Sequence, residues 1–224
     1  MKLSSILSTA ILSFLFFTSC KKATTDATAS MKYQLKTTNP IATVNTPATP
    51  GSVQWTSGFA SANEIKLEAK NNNNEIEFKN ETIQRIDLFA PVATGLGNIV
   101  VPPGTYTEVE FKVELNNSGA DAALVLNGQF TNGTGVVTPI VFTVNGLFEI
   151  KGEQASVVVT GNSSITAITT LNLSLLTTGI SQAMLNAATL TGGKIVISAS
   201  SNSNLYAIIV ANLHEPHDEE LHDH

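Results

Sequence analysis

From Glu108 to Leu115 the chain reads EVEFKVEL, a charged residue alternating with an apolar one at every step. Val109, Phe111, Val113 and Leu115 fall on one side of an extended backbone. Glu108, Glu110, Lys112 and Glu114 fall on the other. A helix would scatter these two sets around its axis, whereas a strand separates them cleanly. The stretch is therefore predicted to be a half-buried antiparallel strand. A lone strand is not stable, so its apolar side commits the chain to a sheet with a covered face.

The surrounding sequence supplies partners. Pro102-Pro103-Gly104 sets a turn between NIVV and this strand. KYQLKTT, SVQWTSGF, EIKLEAK, EIEFKN and IQRIDLFAPV read as strands before it, and NNNN between the third and fourth reads as a hairpin with a four-residue polar loop. AALVLNGQF and VVTPIVFTV are expected to flank a turn at Asn132-Gly133 and Gly135. LFEIKG and ASVVVTG follow. SSITAITTLNLSLL is apolar and β-branched enough for a central strand buried on both faces. KIVISAS is one more. Two stretches carry helical spacing. Ile180 to Ala188 is short, with Thr178 or Ser181 as its cap, and Asn204 to Leu213 follows a capping Ser203. Strands this short and this frequent predict a mainly β fold. The expected architecture is an antiparallel β-sandwich of the immunoglobulin or transthyretin-like kind, with one or two short helices near the C-terminus. Helices do not alternate with strands, which disfavours a parallel α/β fold. Residues 31–213 are expected to be a single domain.

The N-terminus reads as an export signal over residues 1–19: a basic Lys2, an apolar run from Ile6 to Phe17, then Thr18 and Ser19. Its core is too short for a stable membrane span. Cys20 follows at once and is the only cysteine. This arrangement resembles the lipobox of bacterial lipoproteins, although Phe17 stands where that family favours Leu. The resemblance implies acylation at Cys20. An odd thiol in an exported protein calls for such a use. KKATTDATAS completes a flexible tether over residues 20–30. Surface-exported lipoproteins of some bacteria carry acids just after the cysteine. Lys21 and Lys22 occupy those places here, so attachment to the outer membrane on its periplasmic face is expected.

Charged residues make up 13% of the chain and the formal net charge is −6. Five acids and no base lie after Leu213, so the remainder is read as close to neutral. Arg85 is the only arginine, and no basic cluster stands outside the tether. Nucleic-acid binding is excluded on that ground.

The body from Cys20 to Leu213 has no histidine, so no Ser-His-Asp or Cys-His arrangement can be built within it. HExxH is absent, and Gly95-Leu96-Gly97 lacks the rest of a phosphate loop. Catalysis would fall to carboxylates such as Glu110 and Glu114, and no enzyme activity is expected. The acids of the 108–114 face are expected to form a solvated strand face. Glu64, Glu68, Glu75 and Glu77 flank the Asn hairpin, which has oxygens but no glycine for a calcium loop. Trp55 is expected in the core.

All four histidines, His214, His217, His222 and His224, lie in the terminal stretch HEPHDEELHDH among five acids. Imidazole and carboxylate suit zinc, copper or nickel. Pro216 breaks any helix continuing from Leu213, so the spacing fixes no geometry. Residues 214–224 are expected to be a disordered tail, at most a weak metal scavenger.

IDLFAPVATGLGNIVVPPGTYTEVEFKVEL, with Asp87-Leu88, the Pro102–Tyr106 turn and the alternating strand, resembles the core of an uncharacterised bacterial and archaeal lipoprotein family, domain of unknown function 4382. Leu126-Asn127-Gly128 fits its following hairpin. The resemblance implies an envelope β-sandwich and carries no functional residues. Together these readings predict a non-enzymatic, lipid-anchored envelope protein, a binding or adhesion module for a glycan or an envelope protein. One alternative is a subunit of a surface fibre, similar in outline to lipidated fimbrillins, with KYQLKTT as the donated strand.

Overall fold

The computed structural model describes residues 28–44, 49–72 and 74–223. The export signal, Cys20, most of the tether, Asn73 and His224 lie outside the described residues. The strands are β1 (Ala29–Thr38), β2 (Ile41–Val44), β3 (Gly51–Asn71), β4 (Asn74–Asp87), β5 (Thr94–Val101), β6 (Gly104–Leu115), β7 (Leu124–Thr131), β8 (Val137–Val144), β9 (Phe148–Val159), β10 (Ser164–Asn172), β11 (Leu190–Thr191), β12 (Lys194–Ile197) and β13 (Asp218–Asp223). Two helices, α1 (Gln182–Asn186) and α2 (Ser203–His214), lie in the C-terminal part, with a 3₁₀ turn at Leu175–Thr177 before them. The protein is mainly β, with two sheets and two short helices, as a β-sandwich requires.

One sheet runs β13-β10-β1-β5. The other runs β11-β12-β8-β7-β3-β6-β9, and β2 and β4 also pair with β3. β3 spans 21 residues and belongs to both halves of its sheet. Its first part pairs with β2 and β7, its second with β4 and β6. The sequence suggests two strands here because the alternation breaks at Thr56 and again at Asn63. Both breaks are register shifts. Each adds one residue, flips the phase of the side chains and lets the strand continue. Val53 and Trp55 point inward before the first shift, Ala60 and Ala62 between the two, and Ile65 and Leu67 after the second; all six are buried. EIEFKN and IQRID are likewise one strand, β4, and Asn71 pairs with Asn74, so the NNNN hairpin is tighter than the sequence suggests.

β6 is as expected, with Val109, Phe111, Val113 and Leu115 all buried. β10 is an inner strand of its sheet, and Thr166 and Thr170 on its outer side are buried too. Two pairings depart from an all-antiparallel plan: β1 runs parallel to β10 and β8 parallel to β12. Ser181 caps α1, its hydroxyl accepting from the Met184 N–H at 3.3 Å. The cap residue of α2 is Asn202 rather than Ser203. Asn202 holds a left-handed conformation, and its amide binds Thr189 and the Val196 carbonyl instead of the helix.

The sheet β13-β10-β1-β5 packs on β9-β6-β3-β4, with Tyr33 stacked on Phe111 at 6.0 Å between ring centres. α2 covers the inner side of β8 and β12, with Tyr206 against Phe142. Side-chain amides, joined by one backbone bond, close both open edges of the sandwich. Asn80 and Gln84 on β4 donate to the Asn98 and Gly95 carbonyls of β5 at 3.0 and 2.8 Å. On the other edge, the His217 N–H donates to the Lys151 carbonyl at 2.9 Å and the Gln154 amide to the Glu219 carbonyl at 2.6 Å. Exposed strand edges invite pairing with other chains, and this closure removes two of them.

The C-terminal stretch is therefore not the disordered tail that its composition suggests. After Pro216 it forms β13, paired antiparallel to β10 from Asp218↔Thr170 to Asp223↔Ile165. The packed unit reaches from residue 29 to residue 223. The alternation was concealed because two of the inward positions carry polar residues, His217 and Glu219, and only Leu221 is apolar.

Candidate functional site

The structure offers two contrasting outer faces on one sheet and a buried polar cluster where β13 closes the edge. On the outer side of β4, β3, β6 and β9 the registers align Glu81, Glu64, Glu114 and Glu149 in one row. Lys79, Lys66, Lys112 and Lys151 form the next, and Glu77, Glu68, Glu110 and Glu153 the third. Like charges directly across strands repel, so each row depends on its neighbours. The bonds run between rows: Lys66 Nζ lies 3.4, 3.1 and 3.2 Å from Glu64, Glu114 and Glu149, and Lys112 Nζ 2.6 and 2.9 Å from Glu68 and Glu110. Burial works to lower the Lys66 value, but bonds to Glu114 and Glu149 outweigh it and hold the ammonium charged. Lys70 pairs with Glu108, which sits in a left-handed bulge. The body is thus not evenly near-neutral, since most of its charge is gathered on this face.

The other half of the same sheet is the reverse. Four cross-strand rows face outward on β2, β3, β7, β8 and β12: Thr43–Ser52–Thr131–Val137, Ile41–Gln54–Gln129–Pro139, Ser57–Asn127–Val141–Val196 and Phe59–Val125–Thr143. None of these residues is ionisable. Lys194 and Arg85 border the face, Arg85 lying 3.8 Å over the Phe59 ring. Gln54 and Gln129 stand opposite each other, exposed, with their amides unengaged by the described residues. Trp55 is buried, as expected of a core tryptophan.

The third feature lies under β13. Glu219 is 8% exposed and points between the sheets. Thr169 Oγ donates to Glu219 Oε2 at 2.5 Å, and the Tyr33 hydroxyl lies 2.5 Å from Thr169 Oγ. Gly152 makes room for the carboxyl, because a Cβ there would overlap Glu219 Oε2. Glu219 Oε1 and His217 Nε2 have no hydrogen-bond partner among the described residues. Burial pushes Glu219 up to about 8 and is only partly opposed by the Thr169 bond. Burial likewise holds His217 below its ordinary value. The Tyr33 hydroxyl is raised by burial and by the nearby carboxyl.

Among the described residues, His214, His217 and His222 are not brought together, and His224 lies outside them. His217 faces inward. His222 faces outward, 3.6 Å from Glu220. His214, at the end of α2, lies against Phe148 with ring centres 4.6 Å apart. No group of three His, Cys, Asp or Glu among the described residues, the Glu cluster at the Asn hairpin included, is arranged to hold a metal ion. Sequence reasoning missed Thr169, Tyr33, Gly152 and Glu219 as a unit. Only the fold joins them, and the one local signal was a glutamate two residues after a histidine in strand phase. No protein-family model, curated protein or solved structure matches the chain.

Proposed function

We propose that this is a non-enzymatic, lipid-anchored envelope protein, tied through Cys20 to the outer membrane on its periplasmic side, that binds an uncharged partner through the face of β2, β3, β7, β8 and β12. The observation that carries this reading is the segregation of charge. A surface built only for solubility would intersperse both signs over the whole sheet. Here one half holds interlocked glutamate and lysine rows, and the other presents amides, hydroxyls and small apolar groups with no charge to desolvate. Burying charge is costly on binding, and a neutral flat face avoids that cost. A neutral envelope glycan suits it best, with hydroxyls meeting Gln54, Gln129 and Asn127 and C–H faces meeting Val141 and Pro139.

The non-enzymatic part is supported by where the acids lie. Those of the charged face are largely engaged by lysines, and the one strongly perturbed carboxyl, Glu219, is sealed under a strand. The test is depletion of the full chain by insoluble neutral and acidic polysaccharides. Binding to a neutral polymer, lost in Gln54→Lys/Gln129→Glu, which charges the face with an opposite-sign cross-strand pair, without loss of thermal stability, is expected. Binding that survives the double substitution, or that only acidic polymers support, would overturn the assignment. Anchoring is tested separately: Cys20→Ala should move the protein from the membrane to the soluble fraction and abolish incorporation of labelled palmitate.

A further inference from the structure

We propose that β13 is a proton-gated latch: it seals the edge between β9 and β10 while the Glu219 carboxyl carries a proton, and it releases that edge when the proton is lost. The geometry makes the strand separable. It lies at the end of its sheet, joined to α2 only through Glu215, Pro216 and His217. Its hold on β9 is thin: the His217 N–H to Lys151, the Gln154 amide to Glu219, and a bridge of Gly152 to His217. Its ladder to β10 and the Lys36–Glu220 pair at 3.1 Å hold it along its length, and the Glu219 side chain, inserted past Gly152 to reach Thr169, fixes it across the edge.

The groups around that carboxyl decide its charge state. From β10 it meets the Thr169 hydroxyl, which the Tyr33 hydroxyl of β1 contacts in turn. β9 offers Gly152 and Gln154, while Lys151 and Glu153 pair with each other at 3.1 Å on the exposed side. Its own strand adds His217 on the same face, and Glu220, whose charge works against ionisation. Among the described residues no cation pairs with the Glu219 carboxyl and no donor reaches its Oε1. A carboxylate in that place is a poorly compensated buried charge, while a carboxylic acid is tolerable. The released strand gives Glu219 back to water and its ordinary value.

The coupling has a definite form. Between the ordinary glutamate value of 4.5 and about 8, the closed strand holds a proton that the open strand has lost. Opening is therefore favoured about tenfold per pH unit through that window, and levels off above it. His217 acts in the opposite sense. Below its ordinary 6.5 the open strand gains a proton that the closed, buried imidazole resists. Just below pH 6.5 the two effects oppose each other. Above 6.5 only the Glu219 effect remains.

The test is hydrogen exchange of the full chain, read by mass spectrometry after correction for intrinsic exchange rates. From pH 6.5 to 8 the protection of residues 218–223 should fall about tenfold per pH unit, while β6 changes little. In Glu219→Gln that dependence should vanish. Should Glu219→Gln fail to fold, Thr169→Val serves: it removes a bond that favours the carboxylate, so the level region should begin at a higher pH. The latch is overturned if wild-type protection of 218–223 is flat from pH 6.5 to 8. It is equally overturned if Glu219→Gln keeps the same slope, or if Thr169→Val leaves the curve in place.

Discussion

At position 152 a side chain would run into Glu219 Oε2, with Thr169 Oγ 3.2 Å away. The glycine and the glutamate are therefore two halves of one contact, a strand apart in space and 67 positions apart in sequence (219 − 152). Gly152→Ala should destabilise the protein by about 1–3 kcal/mol, the usual cost of overpacking. The effect should not add to that of Glu219→Ala, because shortening the glutamate removes the clash, and residues in contact are not energetically independent. Urea midpoints of the two single variants and the double variant decide it. Additive losses would mean that the glycine answers to something else. None of this was legible in the sequence, where LFEIKG reads simply as a strand ending in a turn glycine. A glycine needed for a close approach looks the same as a glycine needed for a turn, and only the fold says which it is.

At the scale of the element, legibility followed apolar contrast. β6 could be read because from Glu108 to Leu115 its inward residues are all apolar and its outward ones all charged. β13 could not, because the same alternation is written in His, Glu and Leu against Asp, Glu and His. Which strands pair was also beyond reach: β1 lies parallel to β10 across more than a hundred residues of chain, and no local pattern encodes that. The buried pair on β13 has a consequence for the whole fold's stability. Glu219 is raised, so its contribution is complete below its ordinary value and is lost as pH rises towards about 8. His217 is lowered, so its contribution is complete above its ordinary value and is lost in acid. The wild type minus Glu219→Gln difference in unfolding free energy should fall by about 2 kcal/mol between pH 6.5 and 8. Denaturant titrations at three pH values measure it, and a constant difference would remove Glu219 from the account. The charged rows make a second prediction. Lys66→Met leaves Glu64 and Glu114, each with a side chain about 15% exposed, without their shared cation. A loss of about 1–3 kcal/mol is expected, more than a surface pair would give. The loss should shrink when Glu114→Gln is added.

For the whole molecule, β3 is the decisive piece of architecture. Its first half carries the uncharged outer face, in the part of the sheet whose inner side α2 covers, and its second half carries the charged outer face, in the part that packs on the sheet of β1. Two such halves could have been separate domains joined by a linker. They share one continuous strand instead, and the core runs from Trp55 through Ala60 and Ala62 to Ile65 without a break. Melting one half would expose the inner side of a strand that the other half needs, so both should unfold together. The chain carries its own reporter, since Trp55 is the only tryptophan and is buried in the first half. The second half is reported by the near-ultraviolet tyrosine signal in a Tyr206→Phe background, which leaves Tyr33, stacked on Phe111, and Tyr106 of β6. Thermal or denaturant curves followed by tryptophan fluorescence and by tyrosine circular dichroism should superimpose. A truncation after Glu215 removes the seal of the second half and should lower both midpoints by the same amount. If the tyrosine transition moved and the tryptophan transition stayed, the halves would be independent units. β3 would then be a linker in strand form rather than the spine of one cooperative fold.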